Sequence, residues 1–313
     1  FITDWVLDRY FGQKAQYVKD NFLTHWHDDM YLMREGFKTQ REVEAYFNAK
    51  GTLSEDDINM RDTLYSLISN VLFLRDHRNP DLVHPRISAQ LDPCYETLWD
   101  HDKAAFNALY NDYFYRRNNQ FWYEEAMKKL PRLVDATKML VCAEDLGMVP
   151  DCVAWVMNQL HILSLEIQSM PKDPKVTFGM LNNNPFLSVC TISSHDTATL
   201  RMWWDEDWDR TQQYWNISLG RYGAAPHPLS ADVATDIVRN HLYCPSMLCI
   251  LTLQDWLATD ENIRLADASK ERINIPANPK HYWRYRMHIT LEQLIKQTDF
   301  NNSIRNMISQ SRP

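Results

Sequence analysis

The chain has 313 residues, of which 45% are hydrophobic, enough to furnish a real core and to exclude a disordered polypeptide. Its 33 Lys and Arg stand against 41 Asp and Glu, a net charge of -8 with no basic run, which argues against a nucleic-acid backbone or an anionic membrane as the main partner. No segment has the apolar length of a membrane span, and no signal-peptide pattern opens the chain.

With only 7 Gly but 11 Trp, 15 Tyr and 12 Phe, the composition suits a helix-heavy chain with few tight sheet turns. Most of the aromatics are expected in the core or at helix contacts, and only those beside candidate carboxylates suggest stacking on a sugar ring. Cys94, Cys142, Cys152, Cys190, Cys244 and Cys249 show no regular spacing, so buried free thiols in a reducing, cytoplasmic compartment are expected. The sequence opens at Phe1 with what reads as mid-domain sequence, so we expect a fragment of a longer protein.

In chain order, Ile2 to about Ala49 reads as helical, with apolar residues three or four apart at Trp5, Val6, Tyr10 and Phe11 and again at Tyr17, Val18 and Phe22. His25-Trp26-His27-Asp28-Asp29 has metal-ligand residue types. On a helix, however, residues two apart diverge, and no metal site is expected there. Ser54 with Asp57 three residues on predicts a capped helix start, Val71 to Asp76 a strand, and His77 to Arg86 a turn-rich loop. A long helix is predicted from about Lys103 to Leu130, limited by Pro131.

The remainder alternates. Met139–Ala143 reads as a buried strand tipped by Glu144-Asp145, followed by a helix that Asp151 would cap and that runs to about Leu160. Further strands are predicted at 162–168, 187–192 and 247–253, with helices from about Thr197 and over 231–242. Four strands alternating with helices imply a parallel α/β architecture, which places chemistry at the C-terminal strand tips. Glu144 and Asp196 sit at two such tips.

Burial at a strand tip would raise the pKa of Glu144 and suit it to general-acid work. The alternative is that Glu144 or Asp145 merely caps the next helix or enters a buried ion pair, and spacing alone does not favour the catalytic role over it. Ser194-His195-Asp196 has the residue types of a hydrolytic triad. Consecutive residues on an extended chain alternate faces, so a proton relay in line is not expected. His195 and Asp196 instead suit hydrogen bonding to substrate hydroxyls from a bend.

Several motifs occur together in order: Ala143-Glu144-Asp145-Leu146-Gly147 with Val149-Pro150, Ser194-His195-Asp196-Thr197 with Trp203-Trp204, Leu253-Gln254-Asp255-Trp256-Leu257, and Arg272-Ile273-Asn274-Ile275-Pro276 with Trp283-Arg284. They resemble the C-terminal half of the catalytic domain of glycoside hydrolase family 77, the 4-alpha-glucanotransferases or amylomaltases. Asp112-Tyr113-Phe114 with Arg116-Arg117, Gly147-Met148-Val149-Pro150 and Trp203-Trp204-Asp205-Glu206-Asp207 resemble the branch of plant cytosolic disproportionating enzymes and their bacterial relatives.

The resemblance implies strands 5 to 8 of a (β/α)8 TIM barrel with a largely helical insertion, divided as residues 1–103 for the insertion, 104–295 for the half barrel and 296–313 for a C-terminal tail. It implies Glu144 as general acid/base, Asp196 as transition-state stabiliser, and His195 and Asn274 as substrate-binding residues. The implied reaction is retaining transfer of α-1,4-glucosyl units from maltose or another glucan donor to a glucan or glucose acceptor, with no cofactor and no metal. The family's nucleophilic Asp, in an Arg-x-Asp motif, has no match here and is expected upstream, in the missing N-terminal half of the barrel. The same carboxylates would serve an α-glucan hydrolase, and a non-catalytic glucan-binding piece is the further alternative.

Overall fold

A computed structural model describes residues 2–147, 149–173 and 175–312; Phe1, Pro174, Pro313 and the motif residue Met148 lie outside them. The chain divides into two compact units, Phe1–Arg117 and Asn118–Pro313.

The first unit is largely helical. β1 (Ile2–Thr3) leads into α1 (Asp4–Phe11), whose first turn is capped by the Thr3 hydroxyl accepting from the Val6 amide, and α2 (Ala15–Phe22) follows. The helical expectation for residues 2–49 then fails. β2 (Leu23–His27) and β3 (Met30–Met33) form an antiparallel hairpin that β1 extends, with strand order β1-β3-β2. Its two-residue turn has Asp28 at a φ of 46°, a left-handed conformation that Asp tolerates better than most residues.

The backbone at His25 and His27 is therefore extended. The imidazoles are engaged locally, His25 Nε2 lying 2.8 Å from the Asp28 carbonyl oxygen and His27 Nδ1 2.8 Å from the Asp28 carboxylate. Among the described residues no three His, Cys, Asp or Glu side chains are grouped so as to hold a metal ion.

α3 (Gln40–Asn48) and α4 (Glu55–Ser69) both open with capping boxes, Thr39 with Glu42 and the predicted Ser54 with Asp57. The Lys50 ammonium and the Ser54 hydroxyl and amide hold the Asp57 carboxyl down at about 2. Val6, Leu7, Val18, Phe22, Val43, Phe47 and Leu64 form the core between these helices. β4 (Phe73–Arg75) realises the predicted strand and pairs with β5 (Val83–Pro85), which lies within the predicted loop; α5 (Pro93–Glu96) and α6 (Asp100–Tyr115) complete the unit.

The single helix expected from Lys103 to Leu130 is interrupted, since α6 ends at Tyr115 and α7 (Asn119–Met127) and α8 (Leu130–Asp135) are separate. Pro131 does not stop a helix. It lies in the first turn of α8, where a missing amide donor leaves nothing unsatisfied.

The second unit is built on a parallel ladder. Cys142 bridges to Leu163, β6 (Ser164–Ile167) pairs with β7 (Ser188–Thr191), and β7 with β8 (Leu248–Cys249), all parallel. The alternation with α9 (Asp151–Leu160), α10 (Leu200–Glu206), α11 (Trp208–Ile217) and α12 (Ala231–Leu242) is the α/β pattern read from the sequence. Two details differ. Residues 139–143 form one bridge rather than a buried strand, with Met139 76% exposed and Cys142 also exposed; the segment is the edge of the ladder, so its outer side meets no strand among the described residues. Asp151 is the first residue of α9 rather than its cap, a position set by Pro150.

The core behind the ladder gathers Leu200, Trp204, Tyr214, Leu229, Val233 and Ile237, and the Trp204 indole donates to the Pro226 carbonyl at 2.8 Å. α13 (Leu253–Leu257) and α14 (Leu291–Ile295) precede α15 (Thr298–Ser311). α15 packs Met307 and Ile304 against Val238 and Leu242, and Arg312 donates to the carbonyls of Leu242, Cys244 and Ser246, so this C-terminal segment is bound into the unit.

Candidate functional site

Parallel strands present their C-terminal ends along one edge, and in this ladder that edge carries both predicted acids. Glu144 follows the Cys142 bridge, and Asp196 follows β7. One strand, β6, lies between, so the two strands from which the acids emerge are about two strand spacings apart, roughly 10 Å.

At the Glu144 tip the structure separates two neighbours that spacing could not. Asp145 is spent on structure: its Oδ1 accepts from the Leu165 amide at 2.8 Å, which ties the tip to β6, and its Oδ2 lies 2.6 Å from the Lys172 ammonium. Lys172 also reaches Glu166 at 2.7 Å, and Glu166 accepts from the Ser164 hydroxyl. The buried ion-pair alternative thus falls to Asp145. Glu144 points elsewhere: among the described residues no hydrogen bond or ion pair engages its carboxylate, and it lies on an open groove of about 530 Å³ lined by Trp122, Leu130, Leu133, Val141 and Val156. Glu144 is exposed, so the burial invoked for it is not present.

At the second tip the chain bends immediately after β7. The Thr197 hydroxyl accepts from the Ser194 amide at 2.8 Å, and the Ser194 hydroxyl accepts from the Asp196 amide at 3.3 Å, which sets a turn at His195-Asp196. Ser194 is thereby a turn-former and not a nucleophile held by His195. The Asp196 carboxylate is gripped from two sides, by the Asn274 amide at Oδ1 (2.6 Å) and by His195 Nε2 at Oδ2 (3.0 Å). Residues 78 positions apart meet here, and each keeps a solvent-facing side.

Trp283 completes the cluster. Its ring centroid lies 5.1 Å from that of His195 with a 43° tilt, and the indole remains 56% exposed. Half-open aromatic faces beside hydrogen-bonding carboxylates suit sugar rings, which offer both C–H faces and hydroxyl edges. The sequence had presented Trp283 only as part of a motif. Its pairing with a residue 88 positions earlier carries no periodic signal.

Beneath the bend lie two buried carboxylates. Asp255 is fully buried; its Oδ2 accepts from the Ser193 hydroxyl at 2.6 Å and its Oδ1 from the Leu200 amide at 2.9 Å. Glu271 accepts from the Thr199 hydroxyl at 2.9 Å and pairs with Arg201 at 2.6 Å, and the Gln254 amide donates to its carbonyl. Burial pushes both acids above the usual carboxylate range, in Glu271 against the pull of the Arg201 guanidinium and with a further push from the Asp255 charge. Arg272, adjacent to Glu271, donates to the Asn274 carbonyl at 3.1 Å. The same buried layer therefore supports the segments carrying Asp196 and Asn274. Asp255 within one motif and Glu271 just before another are the available sequence signal, but nothing in spacing distinguishes a supporting acid from a reacting one.

Residues 13–291 match the family model described as 4-alpha-glucanotransferase. The 4-alpha-glucanotransferase DPE2 of Oryza sativa subsp. japonica is 33% identical over 314 residues, covering 99% of this chain and 33% of the rice protein. The 4-alpha-glucanotransferase of Chlamydia pneumoniae is 26% identical over 218 residues, 68% of this chain and 39% of that protein. The chain thus spans roughly a third of the length of these relatives. Among solved structures, an amylomaltase from Streptococcus agalactiae in complex with acarbose aligns with 97% of this chain and 71% of that one, at 13% identity and a TM-score of 0.45.

Proposed function

Because the chain belongs to the 4-alpha-glucanotransferase family, we propose that it carries the acid/base and charge-stabilising part of a site that moves α-1,4-linked glucosyl units from maltose or a related donor to a glucan or glucose acceptor. The observation that carries this reading is the Asp196 carboxylate, held by Asn274 and His195 beside the exposed Trp283, on the same ladder edge as the uncommitted Glu144.

In the proposed reaction an aspartate from the preceding part of a longer polypeptide attacks the anomeric carbon, and the glycosidic C–O bond breaks as Glu144 protonates the departing oxygen. Glu144 then takes the proton of an acceptor hydroxyl, which displaces the aspartate and restores the original configuration. Asp196 binds the ring hydroxyls beside the anomeric centre, where its charge opposes the positive charge that grows as the ring flattens. His195 and Asn274 hold that carboxylate and offer further hydrogen bonds, and Trp283 covers a sugar face. No metal or organic cofactor enters the scheme.

On this reading the parallel ladder is strands 5 to 8 of a (β/α)8 barrel, and its open edge at residues 139–143 is where the preceding strands pair. Residues 1–103 are a helical insertion, and the six unpaired thiols are consistent with residence in the cytoplasm. No helix among the described residues is long and apolar enough to cross a membrane.

The test is Glu144→Gln in the full-length gene product, assayed with maltose and glycogen. Loss of an acid/base of this kind should lower kcat by about two to four orders of magnitude while the chain still folds. Wild-type turnover in the variant refutes the assignment. Glucose release without chain extension in the unmodified enzyme would identify a hydrolase instead.

A further inference from the structure

The bend that carries His195 and Asp196 is an eight-residue excursion, Ser193 to Leu200, and both its ends are fastened to one carboxylate. Ser193, buried, donates its hydroxyl to Asp255 Oδ2 at 2.6 Å, and Leu200 donates its amide to Asp255 Oδ1 at 2.9 Å. The fastening is itself fixed. Thr252 caps α13 by accepting from the Asp255 amide at 3.2 Å, and Thr191 donates to the Ser193 carbonyl at 2.8 Å. Asp255 therefore links the start of α13 to the end of β7 and the start of α10.

A fully buried carboxylate without a cation within its own hydrogen bonds is costly, and a core of this kind would be cheaper with an apolar residue. Packing alone does not account for it. What Asp255 supplies is geometry: two acceptor oxygens a fixed distance apart, which set the span of the excursion and hence where its apex stands. At the apex, Asp196 must meet Asn274, a residue from another segment, at 2.6 Å, a match that a slack bend would lose.

We propose that Asp255 is a positioning residue for the reaction at this site, acting as a clamp that sets the reach of the Ser193–Leu200 bend and so places Asp196 and His195 against the sugar. The proposal rests on the glucan-transfer reading above. Asp255 touches no substrate; it acts through Ser193 and Leu200.

The experiment compares Ser193→Ala, Asp255→Asn, Asp255→Ala and Asp196→Asn in the full-length enzyme, with kcat and KM for transfer and amide hydrogen exchange over residues 194–199. Ser193→Ala severs one arm of the clamp and should lower kcat by about tenfold with KM changed by less than about twofold, because displaced charge is felt in the transition state first. Asp255→Ala severs both arms and should cost about a hundredfold. Asp255→Asn can remake both bonds, its carbonyl oxygen to the Leu200 amide and its NH2 to the Ser193 oxygen, and should recover most of the loss. Exchange across the bend should rise in the two alanine variants and not in Asp255→Asn.

If folded Ser193→Ala and Asp255→Ala keep wild-type kcat and wild-type exchange, the clamp is overturned. Should Asp255→Ala fail to fold, Ser193→Ala decides alone, since it removes a single hydroxyl. Full activity in Asp196→Asn with raised exchange in Ser193→Ala overturns instead the reading on which the clamp rests.

Discussion

The Asp196 carboxylate is oriented by a contact that no sequence pattern announces. The Asn274 amide donates to it at 2.6 Å, and this bond couples the orientation of the carboxylate to a segment 78 residues downstream. A charge-assisted hydrogen bond contributes about 1.5–3 kcal/mol, and partial exposure of this pair places it at the lower end. Asn274→Ala should therefore lower kcat for transfer by about tenfold. Asn274→Asp is the sharper probe: nearly isosteric, it replaces the donor with a second negative charge, and its kcat should fall below that of Asn274→Ala. Equal effects of the two substitutions would show that the side chain serves only as filler. The same scale explains why Glu144 and Asp145 could not be told apart beforehand. Adjacent acids at a strand tip have identical sequence context, and only the Leu165 amide and Lys172 ammonium, brought by β6 and the loop after it, reveal that Asp145 is engaged.

At the scale of elements, α10 begins in a buried polar layer, and the Arg201–Glu271 pair is its tightest part, with both side chains under a tenth exposed. Removing one partner leaves an uncompensated charge, so Arg201→Met should cost about 3 kcal/mol in chemical unfolding, and Arg201→Met with Glu271→Leu should recover part of that loss. The pH dependence has a definite sign. Burial raises the Glu271 pKa in the folded chain, and without Arg201 it rises further; the folded state then binds the proton more readily than the unfolded one. The variant should therefore be less impaired at about pH 5 than at pH 8, losing stability as pH rises through the folded pKa. A deficit that does not change with pH would mean Glu271 stays charged throughout. Legibility at this scale followed the strength of the local signal. α4 and α12 are legible because a capping box and a regular apolar face mark them, and so is the alternation of parallel strands with helices. The β2–β3 hairpin is hidden in the sequence because its turn is Asp28-Asp29 rather than a glycine pair, and because the helical spacing of α1 and α2 leads directly into it at Phe22. The interruption after Tyr115 has no proline or glycine to announce it.

At the scale of the whole chain, the ladder edge at residues 139–143 meets no further strand among the described residues. Residues 139–143 hold only one bridge to their neighbour; Trp122 and Leu133 are exposed in the lining of the groove that Glu144 borders, and Met139, Leu140 and Phe121 are exposed in the adjoining stretches of chain. An apolar strip beside an unpaired parallel edge is a surface that a chain covers when it can. On the reading of this ladder as half a barrel, the cover is the preceding strands of the same polypeptide. The chain of 313 residues expressed alone should then self-associate, detectable as concentration-dependent mass in light scattering, and should bind an apolar dye. Leu140→Lys with Leu133→Lys should suppress both effects in the isolated chain. In the full-length protein the same pair should lower the unfolding midpoint and transfer activity, because the lysines would be driven into a buried seam. Were the isolated chain monomeric and dye-negative, or were the full-length protein indifferent to both lysines, the edge would be an ordinary solvated surface, and Glu144 would face water rather than the other half of a catalytic cleft.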